Sequence, residues 1–213
     1  MNKHGGITAK LCQFTILTAS RPSNARLAVW PEVFLDKTKN PDAPIQITKR
    51  EEMKIKRVIK FDKETPLSTQ AVALLKTLPR FMIKKGNDFI FPIMKKDGTI
   101  CPISYSSATV FIKKINVERR KSGEEPFVDH NVKRDGEPVS ISLHGTARAS
   151  FETWAYDSVR FNHKQFSEKA IEHCLDHVTE KYNNAYLRRA VIGEMREIFQ
   201  AWGDYCFSIS SNA

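Results

Sequence analysis

Three runs of apolar residues at helical spacing fill the last third of the chain, and they restrict its fold more than any other feature. Ala147, Phe151, Trp154 and Ala155 recur at i, i+4, i+7 and i+8 behind Ser142, whose hydroxyl suits a helix N-cap. Ile171, Cys174 and Leu175 form the second stripe, opened by Ser167. The third, Leu187, Val191, Met195, Ile198, Phe199 and Trp202, requires a long amphipathic helix.

These helices also carry the chemistry. His144 and Arg148 stand four residues apart, so an imidazole and a guanidinium share one helix face. They lie near a helix N-terminus, where free backbone N–H groups favour an anion. His177 falls at the end of the second helix, and Tyr186, nine residues later, starts the third just off its apolar stripe. Two imidazoles, a guanidinium and a phenol make a phosphodiester-cleaving set. Tyrosine attacks phosphorus only when its proton is removed and fixed donors meet the charge on the non-bridging oxygens. Singly, each residue has a plainer reading: a cap, a packed aromatic or, for Arg148, an ion pair with Glu152.

The rest of the chain is read as mixed elements. Leu11, Phe14, Ile16 and Leu17 predict a helix over 7–20, and Pro22 suits the first turn of the next, which puts Arg21 at a helix–helix junction. Pro41 to Pro44 marks a loop, and Ile45–Thr48 and Arg57–Phe61 read as strands of a small sheet. Lys54 lies in or beside their connection; with Lys56, Arg57 and Lys60 it makes a basic edge suited to DNA phosphates. Ser68 caps a helix to about Leu78, and Phe89–Ile93 reads as an extended segment interrupted by Pro92. Ser106 or Ser107 caps a helix through Val110, Phe111 and Ile115 with Lys113 and Lys114 outward. Residues 117–140, charged and punctuated by Gly and Pro, read as a long loop or a poorly ordered excursion. The expected class is α+β, mostly helical with a small antiparallel sheet.

Composition narrows the function. Lys plus Arg less Asp plus Glu gives 34 − 24 = +10 over 213 residues, which favours a polyanionic partner. No apolar run approaches the ~18 residues of a membrane span, and the first residues lack a signal-peptide core, so a cytoplasmic protein without a membrane partner is expected. Cys12, Cys101, Cys174 and Cys206 form no Cys-x-x-Cys pair, so they are expected to be reduced, mostly core residues. A Gly-x-Gly-x-x-Gly or phosphate loop is absent, as is a carboxylate cluster of the two-metal kind. Neither a cofactor nor a metal is expected.

The ordered motifs resemble the catalytic domain of tyrosine recombinases, more closely the P4-like integrases of phages and genomic islands. Thr18-Ala-Ser-Arg-Pro-Ser-Asn-Ala-Arg-Leu resembles the block of the first catalytic Arg, and Met53-Lys54 is similar to the hairpin lysine. His144-Gly-Thr-Ala-Arg148, Leu175-Asp-His177 and Ala185-Tyr-Leu-Arg188 resemble the later blocks, and Trp202-Gly-Asp-Tyr205 the domain's end. Two departures stand out: one extra residue between His144 and Arg148, and Asn24 at a position often acidic in the family.

The resemblance implies that Arg21, Arg148 and His177 hold the scissile phosphate, and that His144 assists proton transfer at Tyr186, the nucleophile. Lys54 would protonate the departing 5′ oxygen, with Lys56 as the runner-up; Tyr182 is the alternative nucleophile. It also implies a double-stranded attachment site, a tetramer on DNA and accessory DNA-bending proteins, with residues 1–213 forming one catalytic domain that lacks the family's N-terminal core-binding and arm-binding domains. The rival readings are a DNA-binding remnant without turnover and a nicking–resealing topoisomerase.

Overall fold

The first helix, α1 (Ile7–Leu17), is apolar over most of its circumference, with Lys10 and Gln13 among its partly exposed residues, and such a helix must bury a wide face. In the computed structural model, which describes residues 5–52, 61–80, 88–177 and 185–211, Ala9, Leu11, Cys12, Phe14, Thr15 and Leu17 are all buried. The expected helix over 7–20 ends at Leu17 because the chain turns left-handed at Ala19, φ 45°. There the Ala19 N–H donates to the Ile16 carbonyl and the Ser20 N–H to the Thr15 carbonyl, a Schellman closure. Arg21 follows at once as N-cap of α2 (Pro22–Leu27), with Pro at the first helical position.

Next comes a three-stranded antiparallel sheet, β1 (Val33–Phe34), β2 (Ile45–Thr48) and β3 (Lys63–Pro66), in that order. Ile45 lies opposite Pro66 and Thr48 opposite Lys63. The strand expected over Arg57–Phe61 is corrected in its described part: Phe61 lies outside any strand, and pairing begins at Lys63. Residues 53–60 lie outside the described chain. The inward residues of β3 are Lys63 and Thr65, so this strand shows no apolar alternation to read.

Ser68 caps α3 (Thr69–Lys76), accepting from the Ala71 N–H at 3.2 Å, as expected. Phe89 bridges Val29, Ile90 and Phe91 are fully buried, and β4 (Pro92–Met94) pairs with β5 (Ile100–Pro102). The stretch 117–140 is not a long loop. It holds the last turns of α4 (Ser107–Lys121) and an antiparallel hairpin, β6 (Val128–Arg134) and β7 (Glu137–Ser140). The hairpin turns on Asp135 and Gly136, at φ 54° and 84°, the pair of left-handed residues that tight hairpin turns require. Asn116 pins it to α4, donating to the Phe127 carbonyl at 2.9 Å and accepting from the Phe127 N–H at 2.8 Å.

The three C-terminal stripes form α5 (Leu143–Tyr156), α6 (Glu168–Leu175) and α7 (Ala185–Ser211). Phe151, Trp154, Ile171, Leu175, Met195, Ile198, Phe199 and Trp202 meet in one apolar cluster. Trp202 donates its indole N–H to the Ile16 carbonyl at 2.8 Å, which ties α7 to α1. A second cluster joins Phe14, Trp30, Leu67, Leu75, Ile90 and Phe91. The architecture is α+β, with small antiparallel sheets beside packed helices. Among the described residues, no helix is long and apolar enough to cross a membrane.

Candidate phosphate-binding site

Helix α6 closes as α1 does. The Asp176 N–H donates to the His173 carbonyl, the His177 N–H reaches the Glu172 carbonyl at 3.0 Å, and Asp176 takes φ 54°. This turn buries the Asp176 carboxylate and exposes His177.

Three cations from distant parts of the chain converge on that helix end. Lys63 donates to Asp176 Oδ2 at 3.0 Å and to the Cys174 carbonyl at 3.4 Å. Arg21 donates from Nη1 to the same Oδ2 at 3.1 Å. Arg148, on the second turn of α5, joins the two closures, donating from Nη1 to the Ala19 carbonyl at 3.3 Å and from Nη2 to the Leu175 carbonyl. Free carbonyls at a helix C-terminus suit cations, which is why the sequence can gather so many here.

The electrostatics reflect the crowding. Burial pushes the Lys63 ammonium down from its ordinary value; Asp176 opposes that, while Arg148 and Arg21 add to it. Burial also lowers Arg148, and the Arg21 charge adds to the effect, so the two guanidiniums feel each other. Asp176, Glu152 and Glu172 pull Arg148 the other way. Burial alone raises the Cys12 thiol to about 11, and it also raises Cys174, which marks both as unreactive core thiols.

On the outer side, His177 Nδ1 lies 3.4 Å from Glu172 Oε2, and Tyr156 donates its hydroxyl to Glu172 Oε1 at 2.8 Å. Burial, then that hydrogen bond, holds the Tyr156 phenol above its usual value. Ligand atoms of Glu152, Glu172 and His177 lie within 4.8 Å of one another, the described set that could hold a cation. Both oxygens of Glu172 already face protein partners.

Of the residues predicted from sequence, Arg21 and Arg148 therefore meet at the end of α6, where His177 is the residue after Asp176 and turns its side chain toward Glu172. His144 is exposed one turn before Arg148 on α5. Arg148 directs its hydrogen bonds to backbone carbonyls. Lys113 and Lys114 are exposed on α4, Lys114 4.0 Å from Glu118. Tyr186 is the second residue of α7, and its side chain lies outside the described part. Lys54, Lys56, Arg57, Lys60 and Tyr182 lie outside the described residues.

Sequence reading passed over Asp176 and Lys63. The available signal was an acid directly before His177 and a lysine in a short strand among Thr and Pro. Comparison with protein-family models, characterised proteins and solved structures finds no match.

Proposed function

We propose that this chain is the catalytic domain of a tyrosine-type site-specific DNA recombinase, an integrase-like enzyme that cuts and rejoins DNA for movement of a mobile element. One observation carries the reading: Arg21 and Arg148 meet beside His177 at the end of α6, with Asp176 as the buried carboxylate among three cations. Guanidinium forks crowded against one another favour an added anion, and a phosphodiester matches their planar donors. The ordered sequence motifs and the net charge of +10 support DNA as its source.

In this reading the Tyr186 oxygen attacks the scissile phosphorus. A P–O bond forms to the tyrosine as the bond to the 5′ oxygen breaks, leaving a 3′-phosphotyrosyl ester. His144 assists removal of the tyrosine proton, and Lys54 supplies one to the departing 5′ oxygen. Arg21, Arg148 and His177 meet the charge on the non-bridging oxygens. A 5′ hydroxyl from another strand then reverses the step, so the ester conserves the bond energy. Lys56, Arg57 and Lys60, with Lys113 and Lys114 on α4, would contact the phosphates of a duplex attachment site. A tetramer on DNA, assisted by DNA-bending proteins in the bacterial cytoplasm, would complete the reaction.

The test is a nicked suicide duplex carrying the host's attachment core, resolved on denaturing gels with wild type and Tyr186→Phe. The expected result is a protein–DNA adduct that disappears in the variant. Binding without an adduct on the mapped site would replace this reading with a DNA-binding protein that does not cleave.

A further inference from the structure

We propose that Asp176 is the positioning residue of Arg21: its carboxylate fixes the direction in which that guanidinium meets the phosphate. The proposal rests on the phosphotyrosyl-transfer reading above. It begins with a residue that its backbone does not favour. The closure of α6 requires a left-handed residue, and at φ 54° glycine is the least strained occupant. Asp176 is also only 4% exposed, which is costly for a carboxylate without cations. One arrangement offsets both penalties, because Oδ2 accepts Arg21 at 3.1 Å and Lys63 at 3.0 Å.

The two cations differ in what else they can do. Lys63 has a 5% exposed side chain with a second bond to the Cys174 carbonyl, so it is the buried counter-charge. Arg21, at 17%, makes one hydrogen bond among the described residues, from Nη1 to Asp176. Among the described residues its Nε and Nη2 donate to no protein group, which suits them to a ligand. Arg148 gives one N–H of each terminal nitrogen to the carbonyls of Ala19 and Leu175, so it is anchored twice while each nitrogen keeps a second N–H for a phosphate. The first turn of α2 offers Arg21 no acid, and Asn24 accepts from Ser23 at 3.5 Å. Among the described residues, the aim of Arg21 therefore depends on a single side-chain contact from the other end of the chain.

The test compares wild type, Lys63→Met and Asp176→Gly/Lys63→Met. Removing Asp176 alone would strand a buried lysine and threaten the fold; the double variant removes both charges, and glycine suits the left-handed turn. The first readout needs no activity. The guanidinium nitrogen resonances of Arg21, assigned with Arg21→Lys, should be split by hindered rotation in wild type and Lys63→Met, and averaged in the double variant. The second is the rate of adduct formation on the suicide duplex at saturating protein, with DNA affinity measured separately. The double variant should react about 10- to 100-fold more slowly than Lys63→Met, the scale of a small misplacement of a reacting group, with affinity within about threefold.

Arg21 resonances that stay split in the double variant, or an adduct rate equal to that of Lys63→Met, would overturn the proposal. If wild type forms no adduct while the Arg21 signals average as expected, the recombinase reading falls and Asp176 stands as the anchor of Arg21.

Discussion

Helix α6 borders two regions built on opposite principles. Its stripe of Ile171, Cys174 and Leu175, each at 0% exposure, enters an aromatic cluster. There Phe151 lies 5.6 Å from both Phe199 and Trp202, and Trp154 lies 5.2 Å from Trp202. One residue beyond Leu175 the surroundings become ionic, with Lys63 and Arg21 on one oxygen of Asp176. The apolar side is held by many interchangeable contacts, and the ionic side by a few atoms that nothing nearby can replace. Stability can be spread over a surface, whereas the direction of a charged group cannot.

The largest expected effect breaks the apolar side. Trp154→Ala removes a side chain 2% exposed at the centre of the cluster and should cost about 3–5 kcal/mol in urea unfolding. A loss below about 1 kcal/mol would mean that the cluster collapses around the gap and is less specifically packed than its ring contacts indicate. Asp176→Asn should cost about 3 kcal/mol, because it leaves two partly or wholly buried cations facing an amide. The two losses then separate: adding Lys63→Met to Asp176→Asn should return most of the stability, the coupling expected of residues that share one atom. Additive losses would show that the Lys63–Asp176 contact contributes little.

A third effect is smaller and depends on pH. The Lys63 value is depressed below the ordinary 10.5 by burial first, so between its folded value and 10.5 the unfolded chain binds more protons. Stability from this group therefore rises with pH through that window. The thiols of Cys12 and Cys174 are raised and act in the opposite sense at alkaline pH. Cys12 is common to wild type and Lys63→Met and cancels in the difference. The Lys63 charge lowers Cys174, so its loss in the variant raises that thiol further and adds to the difference in the same direction. Wild type should gain stability relative to Lys63→Met as pH is raised toward 10.5, measured by urea unfolding at successive pH values. A flat difference would show that Asp176 fully offsets the burial of Lys63.

The same contrast explains what could be read from the sequence. The stripes of α5, α6 and α7, and the caps Ser68, Ser142 and Ser167, were legible because periodicity and capping are local. Arg21, Arg148 and His177 were legible as residue types in order. Their meeting point was not, since it depends on two left-handed helix ends occupied by Ala19 and Asp176 where glycine would have been the signal. The β6–β7 hairpin was hidden by its exposed, charged strands, with Asp135-Gly136 as the one turn signal. Strand β3 was hidden because the residue it buries first is a lysine.

The smallest effect tests whether the two ends of α6 really differ. Ser167 caps its start, accepting from the Ala170 N–H at 3.3 Å and donating its hydroxyl to Glu194 Oε2 at 2.6 Å, in an exposed setting. Water can replace those bonds when the hydroxyl is lost, so Ser167→Ala should cost about 1 kcal/mol. Water does not reach the buried Lys63–Asp176 contact, so the end of the helix has no such substitute. Urea midpoints for Ser167→Ala and Asp176→Asn measured side by side decide the matter. Equal losses would mean that Asp176 acts as an ordinary helix terminus, and the distinction between the two regions would then rest on the aromatic cluster alone.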